Sequence, residues 1–427
     1  MEYNLEDLIK SVSVKHNFPN NQIIFLNTSD IEDGTVLNHS YSDVKTLPGQ
    51  AKKSIMRNDI LYSEIRPKNK RFAFIDYDSE EYVVSTKLMV LRVNDTAQLH
   101  PKYLYYYLTN KPIINHLQNL AESRSGTFPQ ITFNELKKLK VNLPTIEKQH
   151  KIISFMDSIN GLITNNNQSI ANLEELSQTL FKRWFIDFEF PDENGSPYKS
   201  SKGKMKKSSI GEIPAHWEIT DIQEMTTKFT TGLNPRKNFT LGEGSNYYVT
   251  IKNMGNNDII LDERCDKVTD EAIEIINKRS DLQVGDVLFS GIGTIGRTYL
   301  IYKDPHNWNT SESIFSLRPS DKISSVYLYN LLLSEGVQDY SVQMSSGSVQ
   351  KGIRKRDLER YTFALSNDNI EDYFEELVSP LQNKIHNLRD ENLKLVELRD
   401  TLLPKLMLGE IELPDELEVD EHAELLQ

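Results

Sequence analysis

The chain has 427 residues, of which 49 are Lys or Arg and 62 are Asp or Glu, and 38% of its residues are hydrophobic. This length predicts two to four domains, and the near-average composition excludes collagen-like, wholly disordered and disulfide-rich proteins. The single cysteine, Cys265, cannot form an intrachain disulfide or a cysteine-cluster zinc site, which indicates a reducing compartment.

The N-terminal residues lack the basic region and apolar core of a secretion signal, and no apolar run approaches the ~18 residues that span a bilayer. We therefore expect a cytoplasmic protein without a membrane span. The net charge of −13 is unevenly distributed, because residues 409–427 hold eight acidic side chains and no Lys or Arg. We expect this acidic tail to be disordered. Basic residues cluster at Lys45–Arg57, Arg66–Arg71, Lys199–Lys207 and Lys351–Arg356.

The first 145 residues contain short runs of β-branched and aromatic residues between turn-forming residues, which are typical of strands. The predicted strands lie in 60–65, 71–77 and 82–93, and a helix is predicted at 101–110. A second region has the same pattern, with predicted strands in 247–254, 286–292, 297–302 and 313–319 and a helix at 324–334. Each region is interpreted as a compact α+β domain.

The two regions are copies of one unit. Residues 58–75 resemble residues 285–302, and residues 123–144 resemble residues 344–365. After one inserted residue the offset stays at 222 through residue 185, with identical pairs such as Leu173 and Leu395. Three similar segments in the same order indicate a duplication and not a chance resemblance.

Each copy ends in a segment whose apolar residues repeat every seven positions. This stripe needs a partner helix, and two matching helices in one chain predict an antiparallel coiled coil with pseudo-two-fold symmetry. We expect Pro380 to interrupt the second helix and Pro404 to end it, because proline removes a backbone donor. The predicted seam consists of Ile152, Ile159, Asn166, Leu173, Leu180, Leu381, Leu388, Leu395 and Leu402.

These patterns predict six segments. Residues 190–212 are rich in Gly, Ser and Lys and are expected to form a basic, flexible connector. The full set is a first α+β domain at 1–145, a central helical spacer at 146–189, the connector at 190–212, a second α+β domain at 213–366, a C-terminal helical spacer at 367–408 and the acidic tail at 409–427.

The residues Gly291 to Gly296 match the G-x-G-x-x-G pattern of dinucleotide-binding loops. That motif requires a helix after the last glycine, whereas the following residues predict a strand, so a tight turn between strands is favoured. The nine histidines show no metal-binding spacing, and no phosphate loop is present. The loop is the basis of one hypothesis for the function, a nucleotide-binding enzyme. The long helices are the basis of another, a coiled-coil adaptor that does not bind DNA.

Several motifs together carry a family resemblance over almost the full length. The block 125–190, GEIPAHWEI at 211–219, TGLNPRKNF at 231–239, GDVLFSGIGTIGRTYLI at 285–301 and TLLPKLMLGEI at 401–411 resemble the specificity subunits of type I restriction–modification systems. Residues 1–57 match least.

The resemblance implies a non-catalytic chain with two target-recognition domains that reads a bipartite, asymmetric sequence in double-stranded DNA. It implies two methyltransferase subunits and restriction subunits as partners. It also implies no cofactor in this chain: S-adenosylmethionine belongs to the methyltransferase, and ATP and Mg²⁺ belong to the restriction subunits. Half-sites one helical turn apart lie ~34 Å from each other, which is within the ~50 Å reach of such a helical spacer.

Base reading requires Arg, Lys, Asn or Gln at the groove edges, and phosphate contacts require exposed cations. The candidates in the first domain are Lys68, Lys70, Arg71, Arg124, Ser125, Thr127 and Gln130. The candidates in the second domain are Arg236, Lys237, Lys252, Asn253, Arg297, Lys351, Arg354 and Lys355. Phe181, Trp184 and Phe185 are candidates for docking a methyltransferase; alternatively they close the end of the helix pair.

Overall fold

The computed structural model describes residues 2–124, 128–255, 257–347, 350–366 and 369–414. The chain divides into two compact units: unit 1 is Met1–Asn165 with Glu391–Gln427, and unit 2 is Asn166–Asp390. Within the described residues, no helix is long and apolar enough to cross a membrane.

Unit 1 begins with many short strands and then becomes helical. Its elements in chain order are β1 (Glu2–Asn4), α1 (Leu5–Leu8), β2 (Ile9–Val12), β3 (Gln22–Leu26), β4 (Ile31–Glu32), β5 (Thr35–Val36), β6 (Tyr41–Asp43), β7 (Ala51–Ser54), β8 (Ile60–Ser63), β9 (Phe72–Phe74), β10 (Tyr82–Ser85), β11 (Leu88–Val93), α2 (Pro101–Thr109), α3 (Lys111–Arg124), α4 (Phe133–Leu136), β12 (Lys140–Asn142) and the start of α5 (Ile146–Phe181).

Two four-stranded sheets form the first domain. One sheet has the order β2-β11-β8-β9 with antiparallel neighbours, and the other has the order β6-β3-β10-β7, in which β3 and β10 are parallel. All four residues of β8 are buried, which explains why its sequence is continuously apolar rather than alternating. Helix α2 packs its buried Tyr103 and Leu104 in the core cluster shared with β8 and β11.

Unit 2 repeats this succession of elements. A five-residue π-helical turn at Lys182–Ile186 ends α5. The elements that follow are β13 (Met205–Ser208), β14 (Gly211–Pro214), β15 (Glu218–Asp221), β16 (Thr226–Thr231), β17 (Asn246–Val249), β18 (Asp266–Val268), α6 (Asp270–Ser280), β19 (Val287–Ser290), β20 (Thr298–Leu300), β21 (Trp308–Thr310), β22 (Ile314–Pro319), α7 (Ser325–Leu333), α8 (Glu335–Gln343), α9 (Lys355–Glu359), β23 (Thr362–Leu365) and α10 (Ile370–Leu408).

The first sheet of unit 2 has the order β16-β22-β19-β20, which matches β2-β11-β8-β9 strand for strand. The second sheet, β18-β17-β21, keeps the parallel pair, since β17 and β21 correspond to β3 and β10. The predicted strands and the two predicted helices all lie on observed strands and on α2 and α7. The prediction of two similar α+β domains joined by two long helices is therefore confirmed.

The helices α5 and α10 pair antiparallel within each unit. In unit 1, the Arg399 guanidinium donates to Asn160 Oδ1 at 3.2 Å. In unit 2, Arg389 forms an ion pair with Glu174 at 2.6 Å, and the rings of Phe181 and Phe374 are 5.7 Å apart. In unit 2, the numbers of the contacting residues rise along α5 as they fall along α10, which is the antiparallel arrangement. The same holds in unit 1, where Lys148 also forms an ion pair with Glu412 at 2.6 Å, just beyond the end of α10.

The expected effect of the two prolines is wrong. Helix α10 runs as one element from Ile370 to Leu408 and passes through both Pro380 and Pro404. Pro380 lies on the exposed side of the helix, so water can solvate the carbonyl that its missing N–H leaves unpaired. Packing on both sides of the proline keeps the helix continuous, since Phe374, Val378 and Ile385 are all buried.

Burial along the predicted seam varies. Ile152, Ile159 and Leu388 are buried, whereas Asn166, Leu173, Leu180, Leu381, Leu395 and Leu402 are half-buried. Ile152 is buried because it packs in the core cluster of the first domain in addition to the helix pair. Met156 is fully buried in the same cluster, which also contains α2 residues.

The connector contains regular structure. Residues 205–208 and 211–214 form an antiparallel hairpin, β13 with β14, in which Met205 pairs with Pro214. Phe190 stacks on Tyr198 at 4.7 Å and on Trp217 at 5.1 Å between ring centroids. These aromatic contacts order a segment whose Gly, Ser and Lys content indicated a linker.

Candidate nucleic-acid interface

The turn between β8 and β9 carries the basic residues of unit 1. The Arg71 carbonyl accepts a hydrogen bond from Ser63 N at 2.9 Å, which closes the turn. Pro67–Asn69 form one 3₁₀ turn inside it, flanked by two left-handed residues, Arg66 at φ 43° and Lys70 at φ 52°. From α3, Gln118 Oε1 accepts from the Lys68 N–H at 3.1 Å.

A second loop lies against this turn. Arg66 N donates to the Pro129 carbonyl at 3.1 Å, and Ile131 N donates to the Glu64 carbonyl at 2.8 Å. The two motifs at 58–75 and 123–144, which are distant in sequence, therefore form one edge of the domain. Gln130 is half-buried and pairs with Ile65 across this contact.

In unit 2, the corresponding edge contains the turn Gly291–Gly296 between β19 and β20. Gly293 N donates to the Lys351 carbonyl at 2.8 Å, and Ile353 N donates to the Gly291 carbonyl at 2.9 Å. From α8, Gln338 Nε2 donates to the Gly296 carbonyl at 3.0 Å. In both units a glutamine of the second helix thus binds the turn backbone, with the carboxamide reversed.

The glycines of this turn have structural roles. A Cβ on Gly291 would lie 2.4 Å from the Phe315 ring, and a Cβ on Gly296 would lie 1.9 Å from Gln338 Oε1. The turn leads directly into β20, so no helix N-terminus is available for a pyrophosphate. The G-x-G-x-x-G pattern is therefore a strand–turn–strand feature, as favoured from the sequence.

The two turns share left-handed positions with different residues. In unit 2, Gly293 and Gly296 have φ values of 82° and 94°. In unit 1, the corresponding positions hold Arg66 and Lys70. A left-handed conformation costs roughly 1–2 kcal/mol for a residue with a Cβ and almost nothing for glycine. Unit 1 therefore carries backbone strain that unit 2 avoids.

Two predicted DNA-binding arginines are engaged with the backbone of their own domain. Arg71 Nη1 donates to the Ile31 carbonyl at 2.8 Å, and Arg297 Nη1 donates to the Ile251 carbonyl at 3.0 Å. Both side chains are half-buried. Each arginine binds the short 3₁₀ segment that follows the second-sheet strand, β3 or β17, so each positions its loop.

Two further candidates also have partners within the domain. Asn253 is buried, and its side chain accepts hydrogen bonds from the Thr250 N–H and hydroxyl at 2.9 Å each. Lys355 pairs with Glu359 and lies 4.9 Å over the Phe229 ring. The Asn253 side chain therefore caps its own 3₁₀ turn, and the Lys355 ammonium is held by a neighbour on α9 and by the Phe229 ring.

Two more candidates combine exposure with an ion pair. Lys70 pairs with Asp33 at 3.0 Å, and Arg124 pairs with Glu135 at 2.7 Å. Ser125 and Thr127 lie outside the described residues. The remaining candidates are exposed cations: Lys68, Arg236, Lys237, Lys252, Lys351 and Arg354.

The sequence analysis missed a buried ion pair that occurs in both units. Arg92 binds Asp59 through two hydrogen bonds of 2.7 and 2.8 Å, and Arg318 binds Asp286 at 2.7 and 2.9 Å. The hydrogen bonds to the aspartates raise the pKa of both guanidiniums. The repeated Asp at the start of β8 and β19 was the available signal. Each pair ties the start of one central strand to its neighbour.

Phe181, Trp184 and Phe185 lie in the core of unit 2 and not on its surface. Their exposed fractions are 1%, 7% and 4%. Phe185 contacts Tyr327 and Phe374 with ring centroids 4.8 and 5.2 Å apart. These side chains close the end of the helix pair, which was the alternative interpretation, and burial removes them from any docking surface.

The amino-acid sequence is similar to a family of known proteins. The sequence model of the type I restriction modification DNA specificity domain matches the chain twice, over residues 2–175 and 214–395. The chain is 30% identical to the HindI specificity subunit of Haemophilus influenzae, covering 96% of this chain and 99% of that protein. It is 28% identical to the MjaIX specificity subunit of Methanocaldococcus jannaschii, covering 73% of this chain and 69% of that protein.

Two solved structures also align with the chain. The S subunit of the type I restriction–modification system of M. genitalium aligns over 97% of this chain and 96% of its own, with a TM-score of 0.48 and 15% identity. The HsdS subunit of Thermoanaerobacter tengcongensis aligns over 96% of this chain and 97% of its own, with a TM-score of 0.39 and 18% identity.

Proposed function

Because this chain belongs to the family of type I restriction–modification DNA specificity proteins, we propose that it reads a bipartite, asymmetric sequence in double-stranded DNA with its two recognition domains. It is a non-catalytic subunit, and in this proposal it positions two methyltransferase subunits and the restriction subunits. The observation that carries the proposal is the duplication of one sheet order with chemically different edges.

The two edges support a target with two unlike halves. In unit 1, the edge presents Arg66 and Lys68, whereas in unit 2 the corresponding turn is built from glycine and the exposed cations Lys351 and Arg354 lie on the adjoining loop. Base recognition depends on the donors and acceptors that reach the groove, so edges with different side chains select different bases.

Helix length supports a separation between the two halves. Helix α5 has 36 residues, which corresponds to about 54 Å at 1.5 Å per residue. Half-sites one helical turn apart are ~34 Å from each other, and such a helix is long enough to match that distance. We propose that the spacer helices set the number of unread base pairs.

Exposed leucines on the spacers support the scaffold role. Leu162 and Leu176 of α5 and Leu377 and Leu398 of α10 are 44–51% exposed. Large apolar side chains that stay exposed on a helix are typical of a surface that a partner protein covers. We propose that helices of the methyltransferase subunits cover these leucines. In this proposal the exposed leucines, and not Phe181, Trp184 and Phe185, form the docking surface.

The proposal assigns the cofactors to partner subunits. Among the described residues, no group of His, Cys, Asp or Glu is arranged to hold a metal ion. We propose that S-adenosylmethionine binds the methyltransferase and that ATP and Mg²⁺ bind the restriction subunit. Since DNA and these subunits are its partners, the proposal places the chain in the cytoplasm.

A domain exchange tests this function. We replace residues 213–365 with the matching segment of another specificity subunit, express the chain with its methyltransferase and map methylated bases in the host genome. One half of the methylated motif should change while the other half stays as in the wild type. A change in both halves, or no defined motif for the wild-type complex, would contradict the proposal.

The alternative of a nucleotide-binding enzyme is not favoured. A negatively charged side chain at the Gly293 position would repel a nucleotide phosphate, so the enzyme hypothesis predicts that Gly293→Glu abolishes nucleotide binding. The proposed function predicts that the purified wild-type chain shows no saturable nucleotide binding in equilibrium dialysis with ATP and NAD.

A further inference from the structure

We propose that a polar contact between α10 and the segment after β20 sets the orientation of the second recognition domain on its spacer helix, and thereby the number of unread base pairs between the two half-sites, the gap. This contact, the polar junction, consists of His386 and Asp390 of α10 and of Tyr302 and Lys303. The inference rests on the proposed function and deepens it, because it names side chains that determine the gap.

The members of the polar junction contact one another closely. The Tyr302 hydroxyl donates to Asp390 Oδ1 at 3.1 Å, and Lys303 forms an ion pair with the same carboxylate. The His386 ring stacks on the Tyr302 ring, with centroids 3.9 Å apart and planes inclined by 6°. Because His386 and Asp390 lie one helical turn apart on α10, they hold Tyr302 by its ring and by its hydroxyl at the same time.

A separate apolar contact anchors the same helix near its start. Phe374 and Val378 are buried in the core cluster that includes Phe289 of β19 and Leu317 of β22. Phe374 and Asp390 are about 24 Å apart along one continuous helix, at 1.5 Å per residue. A domain held at one point can pivot on a helix, whereas two contacts this far apart fix the angle between the domain and the helix.

The two contacts reach different sheets of the domain. The apolar contact involves strands of the first sheet, β19 and β22. Tyr302 packs against the core cluster that contains Val249 of β17 and Trp308 of β21, which belong to the second sheet. Helix α10 is therefore attached to both sheets, and the domain cannot tilt on the helix without breaking one of the two contacts.

The corresponding residues of unit 1 make different contacts. At the repeat offset of 222, the histidine and the aspartate of the junction correspond to Thr164 and Gln168. The Thr164 hydroxyl donates to the Asn160 carbonyl and the Gln168 carboxamide donates to Asn172 Oδ1, each at 2.9 Å and within α5. The domain of unit 1 thus forms without such a junction at these positions, so we attribute to the junction a role in unit 2 beyond folding.

The gap is sensitive to small movements of a recognition domain. Neighbouring base pairs are ~3.4 Å apart along the DNA axis, so a displacement of that size brings a domain to the next base pair. A change in orientation leaves the side chains of the reading edge as they are, and these side chains select the bases. Loss of the junction should therefore relax the gap and not the half-sites.

The test removes the polar junction in the full chain, expressed with its own methyltransferase subunits. The variant combines His386→Ala with Asp390→Ala, since alanine favours the helix at both positions. Methylated sites are mapped across the host genome, and the melting temperature of the purified variant is measured. Relative to sites with the wild-type gap, methylation at gaps one base pair longer or shorter should rise by about ten-fold, the factor that corresponds to losing one charged hydrogen bond. Both half-sites should keep their bases.

Two milder variants keep the test decisive if the double variant does not fold. Asp390→Ala alone keeps the ring stack between His386 and Tyr302. Tyr302→Phe also keeps the stack and removes only the hydroxyl that binds Asp390. Each should relax the gap in the same direction by a smaller factor, and Tyr302→Phe should have the smaller effect because the ion pair with Lys303 remains.

Two controls match the aspartate of the junction. Glu391→Ala removes an exposed carboxylate from the next position of α10. Gln168→Ala changes the corresponding residue of unit 1. Both variants should methylate sites with the wild-type gap at wild-type stringency.

The outcomes separate the role of the junction from the proposed function. If the wild-type complex methylates a defined motif and the double variant keeps its gap with equal stringency, the role of the junction is wrong and the proposed function stands. If the double variant loses methylation at all gaps in equal proportion and has a lower melting temperature, the junction only stabilises the domain and the inference also fails. If the wild-type complex shows no bipartite motif, the proposed function itself fails.

Discussion

The two recognition domains share the strand order of their first sheet and the polar contacts around it, and they differ in the second sheet, in the helix ends and in the exposed side chains. Both have the first sheet in the same order, and both secure it with the same polar contacts: an aspartate–arginine pair, an arginine bound to a loop carbonyl and a glutamine bound to the turn. Duplication has therefore preserved the buried polar contacts, whose loss would be costly, and has left the exposed side chains different.

The differences lie where burial is low or where the helices end. The second sheet has four strands in unit 1 and three in unit 2, where α6 packs buried residues next to β17. The helix pair ends among aliphatic side chains in unit 1, such as Ile153 and Met407, and among aromatic rings in unit 2. Substitutions in the shared polar contacts should therefore change stability alike in both units. Substitutions where the units differ should change the stability or the pH dependence of one unit only.

The largest effect should come from the repeated ion pair. Asp59→Ala and Asp286→Ala each remove a buried carboxylate from an arginine whose side chain is 28% or 24% exposed. Each also removes the acceptor of a backbone N–H, from Met56 or Gln283. We expect a loss of about 3–5 kcal/mol in each unit, measured by hydrogen exchange of β11 or β22. Asp→Asn at the same positions keeps the acceptor and should cost less. An effect in one unit alone would break the equivalence.

The helix ends should respond differently. Phe374 in unit 2 corresponds to Ile152 in unit 1 at the repeat offset of 222. Phe374→Ala should cost about 3–5 kcal/mol, because the ring contacts Phe181 and Phe185 and leaves a large cavity, whereas Ile152→Ala falls at the lower end of about 2–5 kcal/mol. Chemical denaturation measures both, and Leu377→Ala, at an exposed site one turn away, should cost less than either.

A smaller and symmetrical effect is expected for the loop-binding arginines. Arg71→Ala and Arg297→Ala remove charged hydrogen bonds to loop carbonyls, and each should cost about 1.5–3 kcal/mol. The change should be confined to faster exchange in the loops around Ile31 and Ile251. If either variant changes the methylated motif while its loop stays protected, that arginine reads DNA directly.

The smallest effect is a dependence on pH that comes from a histidine of unit 2, His386, which unit 1 lacks at the corresponding position. Burial, assisted by Arg389 and Lys303 and opposed by Asp390, lowers the pKa of His386 to about 4. His386 stacks on Tyr302 at 3.9 Å, and the corresponding position in unit 1 is Thr164. Since the unfolded state binds the proton more readily, stability falls as the pH drops below ~6.5.

The measurement for this histidine compares the wild type with His386→Gln between pH 7 and pH 5. The variant should lose less melting temperature over that interval, because the glutamine does not titrate. Equal losses in the two proteins would show that the histidine is as accessible to protons in the folded state as in the unfolded state.

Parts of the fold were predictable because their signal is local. The strands β8 and β19 are buried on both faces, so continuous apolar runs predict them, and α2 and α7 follow from their own composition. The second sheet was not predicted in unit 1, because its strands come mostly from residues 22–54 and are three to five residues long with mixed burial. Such strands are defined by their neighbours and not by their own pattern.

The candidate site shows the same limit. The sequence identified the turn and the loop of each unit as basic, and the structure brings them together in both. It did not distinguish exposed Lys68 from half-buried Arg71, although the two lie three residues apart. Arg66 was grouped with the other basic residues, but its left-handed backbone angle was not predicted, because composition does not report it.

The amino-acid sequence by itself determined the duplication, the strand and helix types and the alternation of recognition domain and spacer, because these follow from local periodicity and from repeated residues. Tertiary structure alone decided which cations face solvent, how the connector is ordered and why α10 continues through two prolines. These features depend on partners far away in the chain, whose contacts outweigh the local preferences of the residues involved.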